Sequence, residues 1–208
     1  MGLDLGHTVS SLSKLALRAK KGMNNNDKCE ENQKIYKVWM DHHYRTYETL
    51  PKEGYKSYMF EGTSVKDRKF ALIVPSEYKD EVNKPIGDVF SVEVSSFILN
   101  EYAFHILSPY LKGHTQIFKI KNQESLFYVI NVTDIIDCLD YDKSEIKRFP
   151  SSGRVMRVTK YAFIKSKLKN AIIFKLPEFV KTTCYVTEEF KKVVEENHIK
   201  GFKFEELN

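Results

Sequence analysis

The sequence predicts an α+β fold: a mixed, mainly antiparallel sheet with short packed helices. Three observations lead there. Apolar residues gather in short alternating or continuous runs of strand character. Two amphipathic segments carry capping residues at their starts and glycines at their ends. The two kinds of element do not alternate in the regular rhythm that parallel βαβ units require.

Residues 1–33 read as a region apart, an N-terminal amphipathic helix and linker. Val9, Leu12, Leu15, Ala16 and Ala19 recur at helical spacing, Gly22 is placed to end the helix, and Asn24-Asn25-Asn26-Asp27 follows. The body runs over 34–208, loosely divided into 34–95 and 96–208. Ile35 to Trp39 alternates like a strand, and Phe70 to Val74 reads as a buried one closed by Pro75. The polar, aromatic stretch between them lacks a period and is expected to be loop or short helix.

Asn100 is suited to accept a hydrogen bond from the next turn, and Glu101 suits the positive end of a helix. Ala103, Ile106, Leu107 and Tyr110 then form one apolar stripe that ends near Pro109 and Gly113. Gln116 to Ile120 and Leu126 to Asn131 are expected to make a β-hairpin about the turn at 121–124. A further strand, Ile172 to Leu176, stops at Pro177. Cys184-Tyr185-Val186 leads into Thr187 as a cap, then a short helix buried along Phe190, Val193 and Val194, then Gly201 and the alternating Phe202-Lys203-Phe204. Phe97 to Ile120 has the same order, which suggests a degenerate helix-plus-strand repeat.

With 42% hydrophobic and 13% aromatic residues among 208, the chain holds enough apolar material for a core, which excludes disorder. No stretch is long and apolar enough to span a membrane. Cysteines 29, 138 and 184 are odd in number and far apart, and 9–19 lacks the continuous apolar run of a secretory leader. Reduced thiols and a cytoplasmic location are the expectation. The net charge of +5 is uneven: residues 143–175 carry +9, leaving −4 elsewhere. Lysines dominate, which favours steering and solubility over base reading. This segment reads as a solvated basic face or as a docking surface for an acidic partner, with Arg154, Arg157, Lys165, Lys167 and Lys169 as candidate partner-binding residues.

The other constellations fail on their own geometry. Asp140-Tyr141-Asp142-Lys143-Ser144 imitates a calcium loop, but Glu145 stands where such a loop needs glycine and Ser151 where it needs a bidentate glutamate. Turn capping is the expectation for those acids. Adjacent His42 and His43 point apart, so they make a poor metal pair. Cys138 and Cys184 lie in apolar contexts typical of structural thiols. No phosphate-cradling glycine loop or nucleophile elbow is present. We therefore expect no catalytic residues, no metal and no cofactor. A basic nucleic-acid-associated module is the alternative from charge, with nucleic acid disfavoured by the absence of an RNA-binding signature. A phosphate-handling enzyme using Arg154 and the nearby acids is a third possibility, and oligomeric state stays open.

Three stretches carry a family resemblance. They are Tyr128 to Thr133 running on to Leu139 through Glu145; Ile173 to Glu178; and Tyr185 to Phe190 running on to Gly201 through Phe204. In order and spacing they resemble the immunity-protein family, numbered eleven in its series, of bacterial polymorphic toxin systems. The resemblance covers 90–208 well and 34–89 loosely. It implies a small cytosolic bacterial protein, encoded beside a secreted toxin, that binds this cognate toxin and blocks it without cofactor or catalysis. The chain departs from many immunity proteins in being basic rather than acidic, which puts a basic nuclease target in doubt.

Overall fold

Two four-stranded antiparallel sheets, each with a helix on one face and smaller β elements on the other, organise the computed structural model. Residues 33–208 make up one of the two units into which the chain divides. The structure describes residues 33–50, 60–66, 70, 72–91, 96–122 and 125–207. The N-terminal helix and linker expected over 1–33 lie outside these residues but for the last one.

Among the described residues, twelve strands and two helices follow in chain order. They are β1 (Ile35–Met40), β2 (Tyr47–Leu50), β3 (Leu72–Pro75), β4 (Val89–Phe90), β5 (Phe97–Asn100), α1 (Glu101–Leu111), β6 (Thr115–Asn122) and β7 (Ser125–Val132). Next come β8 (Glu145–Arg148), β9 (Val155–Lys160), β10 (Ile173–Phe174), β11 (Cys184–Thr187), α2 (Glu188–Glu196) and β12 (Phe202–Glu206). All pairings between named strands are antiparallel, and the one parallel contact among the described residues is an isolated bridge, Ile135 to Lys175.

The two large sheets have one topology. Their strand orders are β4-β5-β7-β6 and β10-β11-β1-β12. In each, an edge strand pairs with the strand that enters the helix, and the strand leaving the helix forms the far edge. An antiparallel strand fills the gap between them, giving a split β-α-β unit. In the first sheet that filler is β7, which follows β6 directly. In the second it is β1, delivered from the far N-terminal side of the body. The repeat legible in the sequence is therefore a repeat of whole sheets, with the central strand of the second supplied out of order. A boundary at 95/96 does not separate these sheets: β4 pairs with β5, and β1 lies among strands of the last forty residues.

Strand alternation sorts side chains onto the two faces. Phe97 and Leu99 of β5, Tyr128, Ile130 and Val132 of β7, Tyr36 and Val38 of β1, and Cys184 and Val186 of β11 face one shared core. Both helices enter it, α1 through Ala103, Leu107 and Leu111 and α2 through Phe190 and Val194. The opposite face of the first sheet, Phe90, Ile98, Phe127 and Val129, packs on Tyr47, Phe60, Phe70 and Ile73 around the β2–β3 pair. The opposite face of the second, Ile35, Phe174 and Tyr185, packs on Cys138, Leu139, Phe163 and Leu168, with Ile146 of β8 and Val158 of β9 at its margin.

Three local expectations are corrected. The stretch read as loop or short helix contains β2, which pairs with β3 through Tyr47 to Leu50. The strand placed at Ile172 to Leu176 is regular only over Ile173–Phe174, because Lys175 turns away to the bridge with Ile135. Thr187 stands at the N-cap of α2, but its side chain makes no capping bond, while the Glu188 amide donates to the Lys34 carbonyl at 3.1 Å. The approach of β1 thus satisfies one of the four free amides at the start of the helix, a different one from those a capping side chain reaches.

Candidate functional site: an arginine and aromatic cleft

The basic segment folds into a β-ribbon, β8–β9, standing against the second sheet by one narrow apolar edge. Ile146 and Val158 are partners across it and are half-buried, whereas Lys147, Arg148, Met156, Arg157 and Lys160 are exposed. Register shifts at Glu145/Ile146 and at Lys147/Arg148 twist the ribbon. Its loop closes through the Phe149 amide donating to the Arg154 carbonyl and the Gly153 amide donating to Phe149, both at 2.9 Å. Gly153 has φ +67°, a conformation that suits a residue without Cβ.

Between this loop and the turn at Pro177–Phe179 lies an open cleft of about 800 Å³. Tyr141, Arg148, Phe149, Arg154, Pro177 and Glu178 line it. The Arg148 guanidinium sits 5.9 Å from the centre of the Tyr141 ring and donates to the Gly153 carbonyl at 3.0 Å. The Tyr141 hydroxyl donates to Glu178 Oε1, and Glu178 Oε2 is enclosed with no partner among the described residues. Tyr141 and Phe149 keep 41% and 42% of their surface exposed, unusually much for aromatic side chains. Arg154 has no side-chain hydrogen bond or ion pair among the described residues.

The acidic turn that imitates a calcium loop is the cleft's support. Asp140 Oδ1 accepts the Lys143 amide at 3.2 Å, and its carboxyl is held below the usual range chiefly by the Lys143 ammonium. Ser144 Oγ accepts the Ala162 amide at 3.0 Å and the Asp140 amide donates to the Ala162 carbonyl at 2.9 Å. These bonds fix Tyr141 beside the base of the ribbon. Among the described residues, no group of three His, Cys, Asp or Glu is arranged to hold a metal.

The sequence candidates separate onto two elements. Arg154 lines the cleft, and Arg157 is exposed on β9 opposite Lys147. Lys165 and Lys167 lie on the 3₁₀ turn Lys165–Leu168, with Lys169 exposed just after it. Lys165 is partly buried and donates to the Gln33 carbonyl, and burial lowers its pKa, so it clips the entry to β1. Lys167 is exposed and donates to the Asp137 carbonyl at 2.5 Å. Lys175, one of the charges counted on the basic face, is fully buried. Its ammonium donates to the Val180 carbonyl at 2.8 Å, and burial lowers its pKa. Arg148, Tyr141 and Phe149 were not singled out by sequence reasoning, because their meeting depends on a turn more than twenty residues further on.

Other chemistry-bearing side chains are occupied structurally. Burial pushes the Cys138 thiol up to about 12 and the Cys184 thiol up to about 11, so neither is a thiolate near neutral pH. His43 Nδ1 is 2.7 Å from Asp41 Oδ1 in a local turn. No helix among the described residues is long and apolar enough to cross a membrane.

No curated protein matches this chain. The family match falls on its C-terminal side, just under half of the sequence, and includes the ribbon, every residue of the cleft and the strand-helix-strand unit β11-α2-β12, but not β1. Over residues 116–208 the chain matches the Immunity protein family (Imm11), the same family that the three sequence stretches resemble.

Proposed function

We propose that this chain is an immunity-type protein that binds and neutralises a cognate bacterial toxin by direct contact in the cytoplasm, without catalysis. The family match supports the general role, and the exposure of the β8–β9 ribbon supports its choice as the contact surface. One observation supports that choice of surface most: Arg154 stands without a partner among the described residues, beside two exposed aromatic rings, on an element that contributes little to the core. Arginine and tyrosine in a recess are the residue types that dominate binding energy at protein interfaces. Arg157 and Lys167, exposed nearby in sequence, add charge that speeds encounter with an acidic surface.

Co-expression with the product of the neighbouring gene tests the proposal. The chain should restore growth to cells made sick by that product and co-purify with it. A product that is harmless alone, or that never co-purifies, contradicts the reading. A basic ribbon also suits nucleic acid, so a salt-sensitive shift of generic DNA or RNA at submicromolar protein would favour that alternative.

A further inference from the structure

The cleft combines features that select one kind of occupant. Arg148 and Arg154 present guanidinium forks, the group best matched to a planar carboxylate. Arg148 spends one donor on Gly153, which leaves the others for a ligand and holds the fork next to the backbone of Arg154. The cleft also offers apolar surfaces: the Tyr141 ring beside Arg148, the exposed Phe149 ring on the same loop, and Pro177. Glu178 supplies a negative group on the same wall, bonded to the Tyr141 hydroxyl.

This distribution disfavours a nucleic-acid strand. A phosphodiester backbone carries a charge at each nucleotide and is bound by a run of cations. Here two cations are followed by Glu178, and Tyr141 is itself flanked in sequence by Asp140 and Asp142. One anionic group is accommodated and the next is repelled. An adjoining apolar or aromatic group, by contrast, finds three apolar faces.

We propose that the cleft is the anchoring pocket for an acidic side chain and a neighbouring aromatic one, presented together by an exposed segment of the toxin. The carboxylate pairs with Arg148 and Arg154, and the ring lies against Tyr141, Phe149 and Pro177. This deepens the toxin-binding reading and rests on it.

Two measurements on the full-length chain test it separately from the general reading. In the first, the arginine Nε–H resonances are followed by NMR during titration with the blocked tetrapeptide Gly-Asp-Phe-Gly, its Asn counterpart, inorganic phosphate and a short oligothymidine. The Asp peptide should move the Arg148 and Arg154 signals, and the Asn peptide should move them far less. Equal responses to the two peptides, or a stronger response to phosphate or oligothymidine, overturn the assignment. In the second, toxin affinity is compared between wild type and the R148A/R154A and R154K variants, each checked for a native melting transition. Losing both forks should weaken the complex about thirtyfold or more, and R154K should fall between. Unchanged affinity overturns the pocket while leaving toxin binding intact. Failure of the wild-type chain to bind the toxin overturns the general reading, and the peptide titration still decides the pocket.

Discussion

Asn100 and Thr187 occupy equivalent places in the two sheets, each the last residue of a strand and the N-cap of the helix that follows, yet only Asn100 caps with its side chain. Its Oδ1 accepts the Ala103 amide at 2.8 Å while its Nδ2 donates to Asp88 Oδ1 at 2.9 Å. The Thr187 hydroxyl is fully buried and has no partner among the described residues. The same position is therefore stabilising in one copy and carries an unsatisfied polar atom in the other.

Asn100→Ala should lower unfolding free energy by about 1–2 kcal/mol, because it frees one helix donor and one partner of Asp88. Thr187→Val should behave oppositely. It keeps the β-branched shape in the β11 ladder and removes a hydroxyl that is buried unbonded, so stability should hold or rise by about 1 kcal/mol. Urea unfolding of both variants checks the pair. A loss at Thr187 as large as at Asn100 would show that its hydroxyl is bonded.

The placement of β1 makes a prediction about folding units. Residues 116–208 hold three strands and the helix of the second sheet but lack its central strand. With β1 absent, β11 and β12 have no common neighbour, and both their inner edges expose unpaired backbone groups. A fragment of 116–208 should show no cooperative thermal transition by circular dichroism. A sharp transition in the fragment would mean that β1 is dispensable.

Lys175 ties acidity to stability. Its ammonium is buried among carbonyls, with hydrogen bonds to Val180 and, more weakly, to Phe60 at 3.4 Å. Burial lowers its pKa from the ordinary 10.5, so the folded state binds this proton less tightly than the unfolded chain does. The penalty is complete below the lowered pKa and vanishes as pH rises toward 10.5. Lys175→Met should therefore stabilise the protein by about 1–3 kcal/mol at neutral pH. The difference from wild type should shrink as pH approaches the ordinary lysine value. Denaturant midpoints across that range decide it, and a variant less stable at every pH contradicts it.

Two glycines with positive φ should respond unequally to alanine. Gly201, at φ +113°, would place a Cβ 2.1 Å from the Val89 carbonyl oxygen, where the Val89 and Asp88 amides both donate to Lys200. Gly201→Ala should lose at least about 3 kcal/mol, since clash and backbone strain add. Gly153 has nothing within 4 Å of such a Cβ, so Gly153→Ala should lose roughly 1–2 kcal/mol from strain alone. Comparable melting temperatures for the two variants would contradict this ordering.

The elements readable in the sequence are those whose stabilising contacts are local. The Asn100 cap, the α1 stripe and the β6–β7 hairpin follow from spacing within a few residues, and the structure places them accordingly. β2 was missed because it has little apolar alternation and depends on pairing with β3 more than twenty residues away. The β8–β9 ribbon was missed because both its faces are largely solvated. Its lysines and arginines read as a charge run, and only Ile146 and Val158 mark its inner edge. The family stretches were legible, but the cleft was not. Arg154 could be picked out as a candidate in the basic segment, whereas Tyr141, Phe149 and Glu178 join it only through tertiary folding.

Hydrogen exchange on the chain alone and in complex with the proposed cognate toxin tests the central claim most directly. The account predicts slowed exchange at the Tyr141 turn, along 145–160 and at 177–179, with the β6 edge and the outer face of α1 unchanged. Slowed exchange confined to the β6 edge or α1, with the ribbon and cleft exchanging as in the free chain, would contradict it.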